Sequence, residues 1–285
     1  MVKSCSQFVL TCVVLGSAAT AGAVGQSPLP PSMLDRIGAY VEQYYARAQS
    51  VLAIESVTLQ SLNRDLSADG FARRLIYELR IEWDPAADTA EPSVVRTLVS
   101  VNGRPPRPGD EPRCTDPRSV SPEPLAPLLP AKRVNYIFTP AGRTDVRGRP
   151  AMMLDYRPIR PEPLKVEWRD ECASIDLPGR TRGRIWADAE SAEVLRFDEH
   201  LVGLVDVPVP LPQQRRGAAP YMTIERADMS IEYRRVVFTD PDETLMLPAR
   251  IDNLVIVRNS GSPRLRITQV FSEYRRFVTG SRIVR

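Results

Sequence analysis

Apolar and polar residues alternate with period two along most of this chain. The clearest run is 73–83, where Leu75, Tyr77, Leu79, Ile81 and Trp83 alternate with Arg74, Ile76, Glu78, Arg80 and Glu82. That period describes a strand with one buried and one wet face. The same reading predicts strands at 51–62, 93–101, 133–139, 150–157, 163–169, 182–188, 193–202, 221–238, 244–258 and 263–277. One segment has helical spacing instead: Met33, Ile37, Tyr40, Val41, Tyr44 and Ala48 form a single apolar stripe. Ser32, with Asp35 three residues on, can cap it, so a helix is predicted over 32–49. Turn chemistry at Asn102-Gly103, Ala141-Gly142, Arg147-Gly148, Asp240-Pro241 and Gly261-Ser262-Pro263 separates the strands. The last three strands are long, about 15 residues each. Long consecutive antiparallel strands favour a bent sheet over a short-stranded sandwich. Parity slips near Gln269–Val270, which suggests a bulge there. The expected fold is mainly β: a strongly curved antiparallel sheet, a half-barrel, with an N-terminal amphipathic helix packed on it.

Two stretches do not fit that alternation. Residues 103–130 contain nine prolines; proline removes ladder donors, so this is expected to be a surface excursion, with a short helical turn at 123–129. Residues 207–220 form a second Pro-rich loop. The first 23 residues combine Lys3, an apolar run from Phe8 to Ala23 and a terminal Ala21-Gly22-Ala23, the layout of a cleaved export signal. The expectation is a signal peptide over 1–23 and one β-rich domain over 24–285, exported to the periplasm or secreted.

Composition narrows the function classes. A net charge of +3, with 43% hydrophobic and 26% charged residues, describes an ordinary globular protein. Arginines are scattered among acids, so no basic run points to nucleic acid. A single histidine excludes metal hydrolases built on two or three, and phosphate-cradling glycine loops are absent. No cofactor or metal is expected. Outside the signal the cysteines are Cys114 and Cys172. In an exported chain two cysteines read as a disulfide, which would restrict the unfolded chain by roughly 4 kcal/mol on a loop-entropy model.

The segment Gly183-Arg184-Ile185-Trp186-Ala187-Asp188, followed after four residues by Glu193-Val194-Leu195-Arg196-Phe197, resembles the G-x-I-W-x-D-x-x-T-x-x-V-L-R hairpin of the exported lipoprotein-carrier (LolA/LolB-like) class. The end of the chain, Tyr274-Arg275-Arg276-Phe277, looks like the closing strand of a group of exported bacterial proteins, as does Val51–Gln60 after the first helix. The resemblance implies a half-open β barrel, helices over its concave side, and an apolar cavity for acyl chains.

Candidate catalytic groups are few. His200 shares a strand face with Arg196 and Asp198, where Asp198 could orient it as a base; a solvated outer face is the simpler account. Glu167, Asp170, Glu171 and Asp176 cluster around Cys172 and could serve a carboxylate-dependent hydrolase, but read as loop charges. Trp83, Trp168 and Trp186 read as packing residues. The expected function is therefore non-catalytic: binding of a lipid or lipidated partner on the concave face. By parity, Leu75, Leu79, Ile81, Leu247, Ile251 and Val255 are the expected lining, with Tyr40 and Tyr44 at the mouth. A cell-envelope interaction protein with a filled core is the alternative. No nucleic acid and no membrane span beyond the signal are expected.

Overall fold

The computed structural model describes residues 31–48, 51–82, 93–110, 123–169, 172–214, 219–260 and 263–276. The signal segment, Trp83, Cys114, Asp170 and Glu171 lie outside the described residues. Helix α1 (Pro31–Arg47) leads into β1 (Val51–Ser61), β2 (Arg73–Glu82) and β3 (Ser93–Val101). A 3-10 helix (Glu123–Leu128) and α2 (Pro130–Arg133) follow. Then come β4 (Tyr136–Val146), β5 (Arg149–Pro158), β6 (Lys165–Arg169), β7 (Cys172–Asp176), β8 (Thr181–Asp188), β9 (Val194–Leu201) and β10 (Val205–Pro208). The chain closes with three long strands, β11 (Tyr221–Thr239), β12 (Asp242–Arg258) and β13 (Arg264–Arg276).

One antiparallel sheet runs in the order β3-β2-β1-β13-β12-β11-β9-β8-β5-β4, with β10 added to β11. β6 and β7 form a separate hairpin. Cross-strand partners Val101, Leu75, Val57, Gln269, Ile251, Ile231, Phe197, Ile185 and Leu154 make a row across nine strands. None of these side chains is more than 2% exposed. They are the inward positions of strands whose outward positions are polar, so the alternation read in the sequence is the alternation of faces.

Covering that row requires curvature. Ten strands spaced about 4.8 Å apart would span some 43 Å if flat, whereas a 17-residue helix is only about 25 Å long. The apolar stripe of α1 nevertheless shares one core with residues from Leu79 of β2 across the sheet to Leu154 of β5, while Val57, Leu75 and Val101 form a separate cluster with Tyr77. Its flanks are tied at several points: Arg36 donates to the carbonyl of Glu190 in the β8–β9 turn, Arg47 pairs with Glu243 at 3.3 Å, and Arg133 of α2 pairs with Asp35 at 2.6 Å. Gly38 lies against the carbonyl of Leu128, where a side chain would crowd the 3-10 helix. The sheet is thus a half-barrel wrapped around α1, open between β3 and β4. Ile37 is fully buried in this seam; Ile37→Val is expected to cost about 1 kcal/mol, read from chemical denaturation.

Several local expectations need correction. Ala141-Gly142 is not a turn: it is a bulge within β4, which runs on to Val146. The parity slip of β13 falls between Ser272 and Arg275, with Glu273 at φ 51°, and not at Gln269–Val270. The segment after Cys172 is a strand, β7, and the Pro-rich loop after 207 begins inside strand β10.

Candidate functional site

Two residues further along each strand the inward face changes character. Leu59, Ile267, Asn253, Met229, Glu199, Gly183, Tyr156 and Phe138 form the next cross-strand row. Of these only Tyr156 is buried; the others are partly exposed. Beyond them Leu265 and Val255 pair, and Val255 pairs with Ala227, again partly exposed. The floor under α1 is therefore closed, and the face opens where the helix ends. At the far end the β6–β7 hairpin covers the sheet again, packing Val166, Trp168, Ala173 and Ile175 on Val205, Val207, Met222 and Ile224. The open band between these two covers is the candidate site: apolar along most of its length, with a few fixed polar groups.

The residues expected to line a cavity divide between floor and band. Leu75, Leu79, Leu247, Ile251 and Tyr44 lie in the closed core, none more than 4% exposed. Tyr40 is half-buried at the helix edge, its pKa raised chiefly by burial and further by Tyr44 and Glu193. The backbone of Ile81 pairs with Val51. Val255 is the one expected lining residue that reaches the open band.

Two acids occupy inward positions, and sequence reading missed both. Glu55 sits between Ala53 and Val57 on the buried parity of β1. Arg96 of β3 reaches it with two nitrogens, each 2.8 Å from a different carboxylate oxygen, and the Gln269 amide donates at 2.8 Å. Burial pushes the Glu55 carboxyl up, while Arg96 and Gln269 hold it back part of the way. Glu199 follows Leu195 and Phe197 on the inward parity of β9. The Tyr156 hydroxyl donates to its Oε2. Thr181 also lowers its pKa by hydrogen bonding, yet burial dominates and the carboxyl is raised overall. A charged residue in phase with a strand's apolar positions is the sequence signal common to Glu55, Arg96 and Glu199.

Tyr156 can reach Glu199 because of Gly183. A Cβ there would stand 2.2 Å from the carbonyl oxygen of Asp198 and 2.5 Å from the Tyr156 ring. The ring lies over this gap, stacked on Phe197 with centroids 5.6 Å apart. Tyr136 and Phe138 pack beside it at 5.9 and 6.2 Å. Both are half-buried and border the open band.

The outer face has different chemistry. Arg196–Asp198, Arg226–Asp228 and Arg250–Asp252 are ion pairs repeated on three neighbouring strands, lining a shallow groove of about 440 Å³. His200 lies in this groove, its Nδ1 3.2 Å from Asp228, while Asp198 bonds Arg196 and Ser230. Asp198 is thus not positioned to orient His200, and the exposed, charge-paired setting is that of a solvated face. Glu167 and Asp176 sit on β6 and β7, opposite Ser174 and Lys165. Trp186 packs on the main core beneath Arg196, 4.8 Å from its ring centroid. Among the described residues no helix is long and apolar enough to cross a membrane, and no three His, Cys, Asp or Glu side chains are grouped to hold a metal.

No protein-family model and no curated protein matches the sequence. Solved structures align with most of the chain at low sequence identity. A LolA superfamily protein from Nitrosomonas europaea aligns over 88% of this chain and 96% of its own, at 10% identity and a TM-score of 0.34. A DUF1329 family protein from Desulfovibrio piger aligns over 88% and 94%, at 11% identity and a TM-score of 0.39. A putative outer membrane lipoprotein-sorting protein domain from Vibrio parahaemolyticus aligns over 86% and 94%, at 11% identity and a TM-score of 0.34. The fold stated above rests on the strand order and burial of this chain itself.

Proposed function

We propose that this chain is an exported, non-catalytic binding protein that receives the acyl chain of a lipid or lipidated partner along the open band. The observation that carries this reading is the step from a closed apolar row to a half-exposed one on the same face of the same strands. Leu59, Ile267, Met229, Leu265 and Val255 leave apolar surface uncovered between α1 and the β6–β7 hairpin, a shape an alkyl chain fills. Each methylene laid there contributes about 0.8 kcal/mol. In this reading residues 24–285 act as one unit after removal of the signal, in the periplasm or outside the cell, and a Cys114–Cys172 bridge ties the Pro-rich excursion to β7.

The competing account is an envelope interaction protein whose core is filled by its own side chains. The burial of Leu79, Leu247 and Ile251 favours it for the floor beneath α1, and that of Leu75 for the neighbouring cluster with Val57, Tyr77 and Val101. The two accounts separate on uptake. Native mass spectrometry of the purified protein should show adducts of lipid mass, and delipidated protein should take up a fluorescent fatty acid. Val255→Glu should weaken that uptake at least tenfold, since it places a charge against the chain. No adduct and no uptake would leave the filled-core account standing.

A further inference from the structure

Glu55 and Glu199 both turn into an apolar face, but they are treated differently. Glu55 is neutralised by the two-point pair with Arg96. Glu199 has neutral donors, the hydroxyls of Tyr156 and Thr181, and among the described residues no arginine or lysine forms an ion pair with it. His200, its neighbour on β9, points to the opposite face, where its Nδ1 lies 3.2 Å from Asp228. A second acid is near: the phenol of Tyr136 is raised chiefly by burial and further by Glu199 and Glu162. Beside the carboxylate stand the rings of Tyr136, Phe138 and Tyr156, mutually 5.9 to 6.4 Å apart. Aromatic faces attract cations through the ring quadrupole. A carboxylate without a basic partner, next to half-exposed rings and at one end of an apolar band, lacks one thing: a positive group attached to an apolar tail.

We propose that Glu199, with the rings of Tyr136 and Phe138, forms a head-group subsite that selects amphiphiles ending in a positively charged nitrogen, an alkylammonium or quaternary ammonium group. This rests on the reading of the open band as an acyl-chain site and assigns its polar end. The tail extends from Glu199 past Met229 toward Ile267 and Leu59, and the ammonium sits against the carboxylate and the ring faces. Tyr156 and Thr181 position the acid and do not touch the ligand.

The test compares two ligands of equal tail length, dodecyltrimethylammonium and dodecanoate, titrated calorimetrically into the mature chain below their micelle concentrations. The wild-type protein should bind the cation at least tenfold more tightly than the anion. Glu199→Gln, which keeps the size and an acceptor for Tyr156, should abolish that preference while dodecanoate binds as well or better. Tyr136→Leu leaves the acid in place and should lose several-fold in cation affinity with dodecanoate unchanged, so the proposal does not depend on one variant folding. Persistence of the cation preference in both variants overturns the subsite. Binding of both ligands by the wild type without preference overturns it too, and leaves the acyl-chain reading intact. Binding of neither overturns both.

Discussion

Arg96→Met is expected to lower the stability of the fold by about 3–5 kcal/mol, the cost of leaving a buried charge without its partner. Glu55 is wholly buried and Arg96 nearly so, with side-chain exposures of 0% and 7%. The methionine keeps the stem that packs near Tyr77, whose ring lies 5.8 Å from the Arg96 guanidinium carbon, so the loss isolates the charge. Because burial raises the Glu55 carboxyl in the folded state, loss of Arg96 raises it further. A group whose folded pKa exceeds its unfolded value favours folding while protonated and loses that contribution as pH rises through the folded pKa. The variant should therefore be closest to wild type in mildly acidic buffer and fall away toward pH 8. Glu55→Met combined with Arg96→Met should recover most of the loss, since well-packed apolar groups commonly replace a buried ion pair without penalty. Urea denaturation of the wild type and the two variants at two pH values checks this. A single variant as stable as the wild type at pH 8 would mean that the pair is not desolvated.

The pair also bears on why part of this molecule was legible from its sequence. Strands with a strict period of two, such as Arg73–Glu82 and Val194–Leu201, were readable nearly to their ends, because burial on one face imposes the pattern directly. The helix was readable for the same reason at a different period. What escaped was whatever breaks the period. In β4 the bulge at Pro140–Gly142 continues a strand through residues that ordinarily end one. β10 is four residues long and ends in Pro208, too short for alternation to register. Parity treats Val255 and Leu79 alike, whereas the burial of Leu79 depends on what α1 covers, a tertiary fact that no strand pattern contains. Glu55, Arg96 and Glu199 carry a sequence signal, a charge in phase with apolar neighbours, that the sequence reading passed over. Their partners come from strands far apart in sequence, so which acid is neutralised and which is not became apparent only with the sheet order.

Gly183→Ala is expected to cost about 3 kcal/mol, at the upper end for adding a methyl group to a packed interior. The requirement is spatial: the new Cβ would meet the carbonyl of Asp198 at 2.2 Å and the Tyr156 ring at 2.5 Å. The carbonyl belongs to β9, hydrogen-bonded neighbour of β8, and cannot rotate away; the ring can. Trimming Tyr156 to alanine in the Gly183→Ala background should therefore recover only a minor part of the loss, beyond allowance for the cavity that Tyr156→Ala makes alone. Neighbouring substitutions of this kind are not additive, and the double-mutant cycle measures how much of the clash lies with the ring. Full recovery would show that Gly183 exists to seat Tyr156. Partial recovery assigns it first to the close approach of β8 and β9. In either case the single variant displaces the ring that donates to Glu199, so its cation preference should weaken along with its stability, joining the packing of two central strands to the selectivity of the band.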